Sequence, residues 1–133
     1  ITLEQILDNP ITLEIFKDET LISKCSENIA FIIDVTLYER AREQTVREKI
    51  ASHISKKYFN RESESAINIS NDLMVKMIGK LKDKLISNDG FFAEPYSEVM
   101  GLIRRNDFTR FTTRNAYNLC KTIIFNISKK PIK

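Results

Sequence analysis

The sequence predicts an all-α domain of about nine short helices, and three observations carry that prediction. Apolar residues recur three and four apart in stretch after stretch, no segment alternates strictly in steps of two, and the 133 residues include only three Gly and three Pro. The length suits one domain with a proper core and is short for two, so residues 1–133 are expected to form a single domain. The chain opens on Ile with no signal-peptide succession, which suggests a domain excised from a longer protein.

Each element has a local reason. Thr2 and Gln5 have capping-box spacing before Ile6 and Leu7, so a short helix starts the chain. Asp8, Asn9 and Pro10 break it, and Pro10 suits the first turn of a second helix ending near Phe16 or Lys17. Residues 18–24 are expected to connect it to the long stretch Ser26 to Arg42, around which the chain is organised. There Ser26 can cap and Glu27 suits the positive helix end. Ile29, Ile32, Ile33 and Thr36, with Phe31, Val35 and Tyr38, make more than half the circumference apolar, so this helix should be central in a bundle. Glu27 and Asn28 then sit at its exposed mouth, either finishing the terminus or facing a partner.

Thr45 is expected to cap a helix to Tyr58 with a stripe of Val46, Ile50, Ile54 and Tyr58. Residues 60–70 form a polar loop in which Asn68 is pinned between Ile67 and Ile69, fitting a recognition amide and a structural turn residue equally. Ser70 caps a helix carrying Leu73, Met77, Leu81 and Leu85. A break at 87–90 leads to a helix from near Phe92, with Pro95 in its first turn. Arg105, Asn106 and Asp107 interrupt the pattern, and Asp107 is expected to cap a short helix holding Phe108, Arg110 and Phe111. Asn115 caps the last helix, with Ala116, Leu119, Cys120, Ile123 and Ile124 on one side until Pro131.

Composition excludes several function classes. A net charge of +3 with acidic and basic residues mixed, and Lys80, Lys82 and Lys84 fanned around a helix, argues against nucleic-acid binding. The pairs Lys56 with Lys57, Arg104 with Arg105 and Lys129 with Lys130 solvate helix ends, and together they would also favour an anionic membrane surface. No apolar run approaches a bilayer span. Cys25 and Cys120 are expected as reduced thiols, and with His53 as the only histidine a zinc site lacks ligands. Counting leaves a Cys–His nucleophile pair open, although His53 falls on a helix run where a surface histidine is the common case. Gly79, Gly90 and Gly101 are scattered, so there is no phosphate loop. No cofactor, metal or catalytic residue is expected.

Three blocks resemble the regulator of G-protein signalling (RGS) domain family. They are SENIAF at Ser26–Phe31, AINIS at Ala66–Ser70, and FFAEPYSEVMGLIRRNDFTRF at Phe91–Phe111, in the family's order and spacing, and the likeness runs from Leu3 to Phe111. The resemblance implies an all-α fold in two parts, a four-helix bundle and a smaller bundle formed by the two ends of the chain. It implies a cytoplasmic, monomeric module, near the inner face of the plasma membrane, that binds the α subunit of heterotrimeric G proteins and accelerates its GTP hydrolysis without being an enzyme itself. Glu27, Asn28, Asn68, Leu102, Asn106, Asp107 and Arg110 match the family's Gα-binding positions, with Asn68 the central contact. Arg110 could equally brace the loop through a neighbouring carboxylate.

The chain also departs from the pattern. Ile32 follows Phe31 where a tryptophan is common, Asn106 and Asp107 stand where an acidic residue and a serine are frequent, and Ser23 replaces a frequent acidic residue. The alternative is therefore a divergent scaffold or effector domain that binds Gα or another protein without accelerating hydrolysis, for instance within an exchange factor.

Overall fold

A computed structural model of the chain describes residues 1–22, 26–82 and 89–128. Among these residues there are no strands, and the helices are α1 (Leu3–Asp8), α2 (Pro10–Ile22), α3 (Ser26–Arg40), α4 (Gln44–Tyr58), α5 (Asn71–Lys82), α6 (Ala93–Leu102), a π-helical segment (Ile103–Phe108), α7 (Thr109–Phe111) and α8 (Asn115–Ser128). The stretch from α6 to α7 is uninterrupted in sequence. Taken as one helix, it brings the count to seven against the roughly nine that periodicity suggests. Ser23, Cys25, Lys84, Leu85, Lys129, Lys130 and Pro131 lie outside the described residues.

The chain divides into two units, Ile1–Ser26 with Leu102–Lys133, and Glu27–Gly101. In the first, the capping box forms as expected: the Gln5 amide donates to Thr2 Oγ1 at 3.1 Å and the Thr2 amide to Gln5 Oε1 at 2.8 Å. Asn9 then caps α2, its Oδ1 accepting from Ile11 at 2.9 Å and Thr12 at 3.1 Å. Helix α2 runs to Ile22, past the expected end at Phe16 or Lys17. The reason is a buried stripe of Thr12, Phe16 and Thr20 at four-residue spacing. Both threonine hydroxyls donate to carbonyls, Thr12 to Ile6 O at 2.7 Å and Thr20 to Lys17 O at 2.8 Å, so they can be buried without an orphaned donor. Helices α1, α2 and α8 pack on one another around Leu3, Ile6, Phe16, Phe111, Cys120 and Ile124. The Phe16 and Phe111 rings meet edge to face at 4.9 Å.

The break expected at 105–107 is a π-helical segment instead, flanked by Leu102 and Thr109, both with right-handed helical backbone. One extra residue per turn accommodates Asn106 and Asp107 without ending the helix. Phe108, not Asp107, is the N-cap residue of α7. The Asp107 side chain is buried and turned toward Arg110.

The second unit holds α3, α4, α5 and α6 up to Gly101. Asn28, Ile29, Phe31, Ile32, Val35 and Tyr38 of α3 are buried, which makes it the central helix that its periodicity predicts. It ends at Arg40, two residues early, because Arg47 of α4 takes its last carbonyls. Arg47 donates to Ala41 O at 2.8 Å and Glu39 O at 3.2 Å, pairs with Asp89, and lies over the Tyr38 ring at 5.2 Å. Helix α4 begins before Thr45, and Glu43 at its N-cap makes no capping bond. Its buried face is Ala51, Ile54 and Tyr58, leaving Val46 42% exposed, so the expected stripe is rotated. Ser70 does approach the start of α5, accepting from Leu73 N at 3.4 Å, and Leu73, Met74 and Met77 are buried. Pro95 lies in the first turn of α6 as predicted.

Asp34 ties α3 to α4. Its Oδ2 accepts from the Tyr58 hydroxyl at 2.6 Å and lies 3.2 Å from His53 Nε2. Burial first, and then this hydrogen bond, push the Tyr58 phenol well above its ordinary value, and burial also raises Tyr38. A group with a raised folded-state pKa contributes stability that is intact below the unfolded value and lost as pH climbs through the folded one. Stability is therefore expected to fall as pH rises above about 10, and Tyr58→Phe to flatten that fall in urea midpoints measured across the alkaline range.

Candidate functional site

In the Glu27–Gly101 unit, the residues expected to face a partner sit at the start of α3 and on the loop after α4. Glu27 is half-buried. Asn28, expected at an exposed mouth, is 8% exposed, and among the described residues its Oδ1 has no hydrogen-bond partner. An amide oxygen in that state is destabilising unless something supplies a donor.

The loop carrying Asn68 is built from both ends. Tyr58 O accepts from Ile67 N at 3.2 Å, Asn60 O accepts from Ser63 N at 2.9 Å, and Asn60 Oδ1 accepts from Glu62 N at 3.1 Å. Phe59 and Ile67 are buried, Ile69 is half-buried, and the Ser70 amide donates to Glu98 Oε1 at 2.7 Å. Arg61 donates to Asn71 Oδ1 at 2.6 Å. Between those anchors Asn68 is exposed, with no hydrogen bond to Glu27 or Asn28 among the described residues. The amide is thus displayed on backbone that is held on each side.

In the other unit, Leu102 is half-buried, Asn106 and Arg110 are exposed, and Asp107 is 4% exposed. Arg110 donates through Nη2 to Asp107 Oδ1 at 2.7 Å, so the guanidinium is outside and the carboxylate inside. They line a recess with Phe16, Glu19, Thr20, Phe111 and Arg114. Arg114 Nε lies 3.9 Å from Glu19 Oε2. Glu19, Thr20 and Arg114 were not singled out from the sequence; the four-residue step from Phe16 to Thr20 along α2 is the signal available for Thr20, with Glu19 three residues from Phe16, whereas Arg114 lies past the end of α7 and had none.

The donors and acceptors available are amides, guanidiniums and carboxylates. Among the described residues no three of His, Cys, Asp and Glu come together, His53 is engaged with Asp34, and burial raises the Cys120 thiol, making it a poor nucleophile. These groups can recognise a protein surface.

The family model for the regulator of G protein signaling domain matches residues 2–120. The chain belongs to the RGS family. The match spans all three blocks and reaches into α8. No individual curated protein matches the chain. The RGS family binds G-protein α subunits, and this RGS domain is a Gα-binding regulator of G-protein signalling. Among the described residues no helix is long and apolar enough to cross a membrane.

Proposed function

We propose that residues 1–133 act as one RGS domain that accelerates GTP hydrolysis on Gα by holding its switch segments in the transition-state arrangement. The observation that carries this reading is the anchored, outward-facing amide of Asn68. A Gα subunit has its catalytic arginine in cis and a glutamine that orients water, yet turns over at only about 10⁻² per second. What it lacks is order. If the competent switch arrangement is populated about 1% of the time, selective binding gains at most about 100-fold, or roughly 2.7 kcal/mol, with no donated acid, base or nucleophile.

On this reading Asn68 reaches the switch region near the catalytic glutamine. Glu27 and Asn28 meet the switches from the start of α3. Leu102, Asn106, Asp107 and Arg110 contribute from the other unit. The domain works as a monomer at the cytoplasmic face of the plasma membrane.

One observation favours the second reading, a scaffold or effector that binds without accelerating. The acidic charge expected at the surface near Asn106 is on Asp107, whose carboxylate is turned inward. Single-turnover GTP hydrolysis by Gα separates the two. The accelerating reading predicts a faster single-turnover rate on adding the domain, and an unchanged rate with every Gα of the source organism would refute it.

A further inference from the structure

Arg110 is the only residue of the expected Gα-binding set whose charge is both exposed and tied to a buried partner. Its side chain is 51% exposed while that of Asp107 is 2% exposed, with 2.7 Å between Nη2 and Oδ1. Asp107 sits in the wider turn of the π-helical segment, and Arg110 in the α-helical turn that follows. The wall behind them is Phe16, Thr20 and Phe111, with Phe16 and Phe111 in edge contact at 4.9 Å. A carboxylate as buried as that of Asp107 is poorly hydrated, so its interaction with a guanidinium is strong and directional.

We propose that Asp107 is a positioning residue. It touches Gα little or not at all, and it presents the Arg110 guanidinium in one orientation to an acidic or carbonyl group of Gα. The inference rests on the Gα reading above and assigns Asp107 a different role from direct contact. A long arginine side chain in water samples many rotamers, and ordering it on binding weakens affinity. With Asp107 in place that ordering accompanies folding. Arg114 and Glu19 repeat the pattern more loosely at 3.9 Å.

The experiment has one arm without Gα and one with it. Nitrogen-15 NMR of the arginine side chains in the intact chain should show hindered rotation of the Arg110 guanidinium, released in Asp107→Asn, with the exposed Arg105 as the freely rotating reference. Wild-type Arg110 rotating as freely as Arg105 would overturn the proposal. With Gα bound to GDP and aluminium fluoride, Asp107→Asn and Arg110→Ala should each weaken binding about tenfold, and the double variant no more than about tenfold. Additive losses, about a hundredfold in the double variant, would mean that Asp107 makes its own contact and would overturn the proposal. Arg110→Ala strands a buried carboxylate, so Arg110→Lys completes a second cycle if that variant does not fold. If the wild-type chain binds no state of Gα, the functional reading fails and the recognition role with it, while the NMR arm still decides whether Asp107 holds Arg110.

Discussion

Replacing Asn68 with alanine is expected to weaken Gα binding by about 30-fold or more, a loss of at least ~2 kcal/mol, and to leave the melting temperature unchanged. The side chain is exposed and has no hydrogen bond among the described residues, so the free domain loses nothing with it. In a complex, its truncation leaves desolvated groups of the partner unpaired, the usual source of a large effect from one small side chain. The loop itself should survive, because Ile67 stays buried and the Ser70 amide keeps Glu98. Titration calorimetry with a parallel thermal melt reads both halves of this prediction. A fall in melting temperature as large as that of the next variant would make the asparagine structural.

Phe31→Ala is expected to cost about 3 to 5 kcal/mol of folding stability. The ring is fully buried and sits edge to face against Tyr58 at 5.2 Å and Phe59 at 5.8 Å. Removing it leaves a cavity and forfeits both ring contacts, each worth about 0.5 to 1.5 kcal/mol beyond burial. That is a large share of the roughly 5 to 15 kcal/mol that holds a domain together. Denaturant unfolding should show a lower midpoint at unchanged slope. The two variants are coupled in one direction only. Phe59 stands at the entrance to the loop that displays Asn68, so loss of Phe31 should also weaken Gα binding.

What the sequence made legible was local. The Thr2–Gln5 capping box and the Asn9–Pro10 boundary depend on residues within a few positions of one another, and the place of Asn68 between Ile67 and Ile69 was visible in the same way, although Tyr58 and Glu98 help to anchor that loop from farther off. What it concealed depends on which side chains turn inward and which carbonyls they bond, and periodicity does not report either. Helix α2 looked shorter because Thr12 and Thr20 count as polar in a periodicity, yet their hydroxyls are consumed by nearby carbonyls and they serve as core. The buried face of α4 was misplaced because Ala51 faces inward and Val46 does not. The end of α3 was set by Arg47 from the next helix.

The expected Gα-binding residues divide the same way. Their family positions could be read from three blocks, but burial could not: Asn28 is covered where an exposed mouth was expected, and the Asn106–Asp107 pair looked like a helix break. A π-helical segment has no residue signature of its own, so the inward turn of the Asp107 carboxylate had no sequence signal beyond the i, i+3 spacing to Arg110.

The central claim is selection of one Gα state, and the most direct measurement is binding of the domain to purified Gα with GDP, with GDP and aluminium tetrafluoride, and with a non-hydrolysable GTP analogue. The account predicts tightest binding to the aluminium fluoride state, which mimics the transition-state switch arrangement. Equal affinity for all three, or preference for the GTP analogue, would contradict it and leave the domain as a scaffold or effector.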